Sequence, residues 1–455
     1  MTKHILLLMF LCTAACATGA GQTDYSAVDA SAARLLYPYE SSQSCKGCHS
    51  SIYLQYKDSM HAGAFDNPLF DAQYFKEAVP RALRDSSFVP EARDCVRCHA
   101  PVLYMNYTGL VTSRQQAEAY ETGVTCDFCH TLTGSAPNGD YKQNPSRKKL
   151  GPLQVGNSWH AEYSGYFQLS EFCEQCHNDR NHRGLEIKST FSEWQQSGFV
   201  KAGILCQDCH MNRSGYLDKG RAEYEQGEYV HMNMITGEAR VAKTDKLYSH
   251  SFPGAHSNRQ LTGAIRLDIQ TDSSAGDSNP FRFRVVVDNS RVGHRMPSGS
   301  SDLRFMWLEI RAVAKDGTVL PVSPVQAALQ PGATDYSLAG GSADDTAILG
   351  REVPAGSRLY RAVFVDGAGK QSLLSYDSVA KRFDNRLGPG EKRIEEYSLK
   401  LPVSYAGDVT LQATLRYLAA PASFTGWLGV PAFEPVVVSE VKKILNAGTL
   451  GKNLK

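Results

Sequence analysis

The sequence predicts an α+β chain built from two unlike parts: an irregular, short-helical domain followed by a β-sandwich domain. Three observations predict it. Ten of the twelve cysteines fall in five CxxCH segments between residues 45 and 210. The chain between those segments is polar, with few aliphatic runs. From about residue 260 the pattern changes to short alternating apolar runs separated by turn residues.

The five segments are Cys45-Lys46-Gly47-Cys48-His49, Cys95-Val96-Arg97-Cys98-His99, Cys126-Asp127-Phe128-Cys129-His130, Cys173-Glu174-Gln175-Cys176-His177 and Cys206-Gln207-Asp208-Cys209-His210. This spacing is the attachment signature of c-type haem. The two thiols add across the haem vinyl groups, and the adjacent His reaches the iron. Five disulfides would use the same cysteines but leave the His after each pair unexplained. Structural zinc needs four ligands, usually two CxxC pairs brought together. An odd number of pairs, each followed at once by His, fits zinc poorly. The expectation is five covalently bound haem c groups in a multihaem cytochrome c domain.

Ahead of this domain, Met1-Thr2-Lys3-His4 is short and basic, and Ile5 to Leu11 is apolar. Small residues follow, so 1–16 reads as a secretory signal peptide. Thr13-Ala14-Ala15-Cys16 resembles a bacterial lipobox, with Thr13 where Leu is usual, which would put a lipid anchor at Cys16. Cleavage after Ala15-Cys16-Ala17 is the alternative. Residues 17–40, rich in Ala, Ser, Gly and Thr, read as a linker. The pentahaem domain is expected over 41–255 and the β-sandwich over 256–447. No later stretch is long and apolar enough to cross a bilayer. The formal net charge of +1 leaves no basic footprint for nucleic acid.

In the first domain, helices are expected around Ser51 to His61 and Phe191 to Gln196. This region looks too poor in aliphatic residues for a usual core, so haem is expected to supply the interior. Beyond 260, strands are expected over Phe281 to Val287, Leu303 to Val313, Arg358 to Asp366, Arg393 to Leu401 and Val409 to Leu418. Turn signals such as Lys315-Asp316-Gly317 and Gly388-Pro389-Gly390 separate them, which suggests a sandwich. Ser439 to Leu450 is expected as a short helix or a loose tail.

The chain has thirteen histidines. His49, His99, His130, His177 and His210 are proximal by motif. Outside the leader, seven remain: His61, His160, His182, His231, His250, His256 and His294. They suffice to give every iron a second imidazole. His61, His160, His250, His256 and His294 rank first, because each has an aromatic, Gly or Pro neighbour to fix it. His182 lies too near His177 in sequence to serve the same haem. His231 has the least context. Met60 and Met211 are weaker candidates.

Several of these segments carry a resemblance. Ser59-Met60-His61, Gly123-Val124-Thr125 before the third motif, Ser170-Glu171-Phe172 before the fourth, and Gly203-Ile204-Leu205 before the fifth resemble multihaem cytochromes. These are related to the tetrahaem cytochrome of ammonia oxidisers. The resemblance spans roughly 45 to 300 and includes Gly293-His294 with Pro297-Ser298-Gly299, where relatives usually read Pro-Thr-Gly. The β-rich tail resembles the C-terminal domain of some larger members. The resemblance implies closely stacked, mainly bis-His haems, and a β domain that caps one haem if His294 is a ligand.

Three functions remain open on the sequence. Saturated bis-His haems would carry electrons between other redox proteins, in the periplasm or at the outer cell surface. An iron with an open position would reduce or oxidise small nitrogen or sulfur compounds. The nitrite reductase marker CxxCK does not occur here. A third reading is self-assembly into a haem filament, or docking on an outer-membrane complex through the β domain.

Overall fold

The computed structural model describes residues 39–447, apart from 136–139, 145, 147, 154–159, 213–224, 233–235, 237–238, 272–279, 327–329, 331–332, 351, 403–404 and 406. Only the backbone is described over 225–232 and 239–246. The leader, Cys16 and most of the expected linker lie outside the described residues. The chain is α+β. Among the described residues no helix is long and apolar enough to cross a membrane.

The first half is a set of short helices set by caps and prolines. Asn67 accepts from the backbone N–H groups of Leu69 and Phe70 and starts the helix Pro68–Gln73, with Pro68 at a position where its missing N–H costs nothing. A π-helical turn, Tyr74–Ala78, then leads into Val79–Arg84. Pro80 cannot donate to the ladder, and the wider turn ahead of it absorbs the missing bond. Helix Val89–His99 ends in the second motif. Pro101 opens the next helix, Pro101–Asn106, and keeps Ala100 ahead of it out of the helical region, at φ −150° and ψ 68°. The helices expected near residues 51–61 and 191–196 run over Ser50–Tyr56 and Thr190–Gln195, so His61 lies beyond its helix.

Contrary to expectation, the first half is not without an apolar interior of its own. Phe65, Tyr74, Val79, Phe88, Val96, Leu103 and Val111 are buried in one apolar cluster around the second motif. The half therefore has a side-chain core of its own. Aromatics and alanines make up most of it, and its aliphatics (Val79, Val96, Leu103 and Val111) are scattered along the chain, where a search for aliphatic runs does not register them.

The second half holds two larger antiparallel sheets packed face to face, and a small three-stranded one in the order Gln371–Ser372, Ala362–Val365, Ala380–Asp384. In the first, the strand order is Val322–Pro324, Lys392–Leu399, Phe281–Asp288, Arg266–Gln270. In the second it is Val319–Leu320, Phe305–Ala314, Val409–Leu418, Val436–Leu445, with Arg358–Tyr360 also paired to Phe305–Ala314. Strict alternation puts Phe281, Phe283, Val285 and Val287 inward. They meet Met306, Leu308, Leu411, Ala413 and Leu415 of the facing sheet in one cluster. Each such side chain contributes about 1.5–3 kcal/mol when fully buried. Trp307, on the opposite face of its strand, fills a second cluster with Leu349, Leu359 and Leu418.

The tail also departs from expectation. Val436–Leu445 is a ten-residue strand paired along Val409–Leu418. Its β-branched start (Val436, Val437, Val438) favours a strand. Lys442 and Lys443, which look helical, are the charges that keep an edge strand from pairing further.

The two halves are stitched together. Asn181 Nδ2 donates to the carbonyls of Ser375 and Ser378 at 3.0 and 2.8 Å. Lys76 Nζ donates to the Leu428 carbonyl at 2.7 Å. Arg81 pairs with Asp377, and Tyr376 enters the apolar cluster of the first half. The second half is therefore positioned to contribute side chains to sites in the first.

Candidate haem-binding site

Each CxxCH segment lies in or beside a short helix. The relevant helices are Ser42–Cys45, Val89–His99, Cys126–Thr131, Glu171–His177 and Cys206–His210. Residues i and i+3 are neighbours on a helix surface, so both thiols come to one side. Caps fix where the turns begin. Thr125 Oγ1 accepts from the Phe128 N–H at 3.2 Å, and Asp208 accepts from the Leu205 N–H at 2.8 Å.

The structure brings four of the five motif histidines opposite a second histidine. His49 faces His160 with ring centres 6.3 Å apart. His177 faces His61 at 6.2 Å. His130 faces His250 at 6.3 Å, and His210 faces His294 at 6.3 Å. Imidazole–metal bonds of about 2 Å on each side, plus about 1 Å from nitrogen to ring centre, reproduce this spacing. A contact between bare rings would be closer and would vary. The near-equal separations fit haem c held between each pair.

Backbone carbonyls set which ring nitrogen is available. Nδ1 of His99 lies 2.7 Å from the Ala64 carbonyl, that of His130 2.6 Å from Leu150, and that of His210 3.1 Å from Pro253. His250 and His294 do the same with Tyr248 and Arg295, both at 2.9 Å. A ring that donates Nδ1–H to a carbonyl presents Nε2 to a metal with its orientation fixed. Burial also holds the rings neutral, as metal ligation requires. Desolvation pushes His61, His99 and His250 down to about 4 and His177 to about 3. It also lowers His130, His160, His210 and His294.

Two backbone features position His61 and His250. Phe252 packs its ring 4.4 Å from His61 and 5.7 Å from His250. It does so at φ 40°, a left-handed conformation that is unfavourable for a bulky residue. Gly123, at φ 77°, lies so close to the His61–Ala62 backbone that a Cβ would fall 2.2 Å from the Ala62 carbonyl oxygen. Only glycine permits that approach. The Val124 N–H then donates to the His61 carbonyl at 2.8 Å.

The motifs also crowd one another. Thiols of Cys45 and Cys126, of Cys98 and Cys176, and of Cys173 and Cys206 lie within hydrogen-bond reach. Tyr141 donates its backbone-directed hydroxyl to the Arg97 carbonyl at 2.8 Å and touches Cys176 Sγ at 3.3 Å. The first motif thus adjoins the third, the second the fourth, and the fourth the fifth. None of the ten cysteines is in a disulfide.

The remaining histidines stand apart from these pairs. Among the described residues His99 faces no second histidine; Phe70 stacks on its ring at 3.8 Å and 8°. His256, expected as a ligand, packs against Phe433 at 6.0 Å and makes no ring contact with a motif histidine among the described residues. His182 binds the Glu91 carboxylate through its backbone N–H and ring. His231 lies on the strand Glu225–Met232, and its side chain is outside the described residues. The sequence points to Phe252 as a neighbour that fixes His250 but does not reveal Phe70 or the carbonyl acceptors. Phe252, Pro253 and Gly254, between His250 and His256, are the signals that this backbone is constrained.

The family model described as "Cytochrome c554 and c-prime" matches residues 44–131, which hold the first three motifs. No curated protein matches the chain. A penta-heme cytochrome c552 from Thermochromatium tepidum has a similar structure. The TM-score is 0.61 over 90% of this chain and 99% of that one, at 21% identity. The chain has the fold and the attachment motifs of a multihaem c-type cytochrome, which binds haem c covalently.

Proposed function

We propose that this protein binds five haem c groups and carries electrons through them between redox partners outside the cytoplasm. The four histidine pairs at 6.2–6.3 Å carry this reading. Haem c between two imidazoles supplies an iron that changes oxidation state by one electron with no coordination position left open. The chain's own residues would do the rest. Cys45 and Cys48, Cys95 and Cys98, Cys126 and Cys129, Cys173 and Cys176, and Cys206 and Cys209 would anchor the five groups. The carbonyls of Leu150, Pro253, Tyr248 and Arg295 hold the imidazoles in a ligating pose. The near contacts between motifs support close packing of the groups, the arrangement electron passage requires. The 256–447 region reads as a sandwich domain that closes the fifth haem through His294. An exported location, with a lipid anchor at Cys16, agrees with the leader.

One observation favours a second reading. His99 has Phe70 against its ring and no opposing histidine among the described residues. An open position at that iron would admit a small nitrogen or sulfur compound, and the other four haems would feed it electrons. Carbon monoxide added to the reduced protein separates the two. No spectral change means every iron is saturated and the protein is a conduit. Binding by one haem in five, lost with the second motif, means a reductase or oxidase.

A further inference from the structure

The pair His210–His294 joins two distant parts of the chain, and one short helix touches both sides of it. Helix Thr190–Gln195 lies between the fourth and fifth motifs. On one side, Trp194 Nε1 donates to the Ile204 carbonyl at 3.0 Å, two residues before Cys206. On the other, Glu193 Oε2 accepts from the Arg295 backbone N–H at 3.1 Å, the residue after His294. Thr190 and Ser298 hydroxyls meet at 2.7 Å. Gly293 packs on the same helix: a Cβ there would stand 3.3 Å from Trp194 and 3.4 Å from Phe199.

Glu193 is held in turn from the β half. Arg386, 1% exposed, donates Nη2 to Glu193 Oε1 at 2.7 Å. Its Nη1 donates to the Pro297 carbonyl at 3.1 Å, and Asp384 supplies a second carboxylate at 2.9 Å. Ser189 donates its hydroxyl to Glu193 Oε1 at 2.7 Å. Thus Glu193 binds the segment after His294, and Arg386 binds both Glu193 and the segment beyond. A buried carboxylate is tolerated only when its oxygens are satisfied in this way.

We infer that Glu193, locked by Arg386, is a positioning residue that sets the reach of His294 toward the iron held by His210. It acts as a caliper: the same helix fixes the approach to the fifth motif through Trp194 and the distal ligand through Glu193. The ligation of one haem is thereby tied to the packing of the β half. The inference rests on His210 and His294 being ligands of one haem, which the His294→Ala variant tests by itself.

The experiment compares purified holoprotein as wild type, His294→Ala, Glu193→Ala and Glu193→Gln by EPR and by carbon monoxide binding. His294→Ala is expected to add one open, high-spin haem to whatever the wild type shows. Glu193→Ala is expected to add the same signal at a fraction of one haem, with Glu193→Gln smaller again and the other haems unchanged. If His294→Ala leaves the wild-type spectrum intact, the ligand assignment fails and the caliper with it. If His294→Ala opens an iron but both Glu193 variants keep every haem as in wild type, even with a lowered Tm, Glu193 is only a structural ion pair. A change spread over all haems overturns the inference equally. Should Glu193→Ala not accumulate as holoprotein, Glu193→Gln decides, since it keeps the side-chain volume.

Discussion

The two halves solve the problem of an interior differently. In the β half, ten-residue strands bury long side chains against one another, and Trp307, Met306, Leu308, Leu411 and Leu415 are fully inside. In the first half the helices are mostly four to seven residues long. Its apolar cluster is confined to the surroundings of the second motif, with a smaller one around Phe128 and Tyr141. Helices that short are not stable by themselves in water. The difference teaches that one half is packed throughout by its own side chains, while the other has such packing only around two of its motifs and would look to what its cysteines and histidines hold for the rest.

The largest effect that can break this contrast is haem removal. Haem-free chain, made without the attachment machinery, is expected to lose amide protection around the first, third, fourth and fifth motifs. Strands Phe281–Asp288, Phe305–Ala314 and Val409–Leu418 should keep theirs. Hydrogen exchange by mass spectrometry reads both in one experiment. Equal protection in the two halves would end the contrast.

A core substitution works from the other side. Trp307→Ala removes a fully buried ring and is expected to destabilise by about 3–5 kcal/mol. Denaturant unfolding followed by tryptophan-independent circular dichroism measures it. The haem spectrum should change only as the β half unfolds, and then at the His294 side first.

The smallest effect concerns the seam between the halves. Asp302 is buried and its carboxyl is pushed up to about 6 by desolvation, with Lys188 and Arg304 pulling it down less. A raised carboxyl is protonated in the folded state where the unfolded chain has already ionised. Stability therefore falls as pH rises from about 4 through 6 and stays lower above it. Asp302→Asn is expected to gain about 1–3 kcal/mol at pH 7.5 and nothing at pH 3.5. Thermal melts at the two pH values check the sign. A gain that is equal at both would mean that charge is not the cause.

Much of this was legible beforehand, for physical reasons. The alternation in Phe281–Asp288 and the runs at Phe305–Ala314 and Val409–Leu418 mark strands because one face must be apolar. The five motifs were legible because covalent attachment demands a fixed spacing. His61, His160, His250 and His294 were all among the candidates. Their pairing was not legible, since His61 faces the motif histidine 116 positions later and His294 comes from a different half. Those choices are made by tertiary contacts, such as Gly123 against Ala62 and Glu193 against Arg295. The edge strand Val436–Leu445 was missed because its charges read as a solvated tail.

The most direct test of the account counts low-spin irons. EPR of the oxidised holoprotein, with carbon monoxide added to the reduced form, asks each haem whether it has two protein ligands. The account expects at least four bis-His low-spin centres that ignore carbon monoxide, with the iron of His99 as the one place where it can bind. Binding at the iron of His99 alone would turn the reading from a conduit to a reductase or oxidase, and binding at two or more haems would contradict the four histidine pairs themselves.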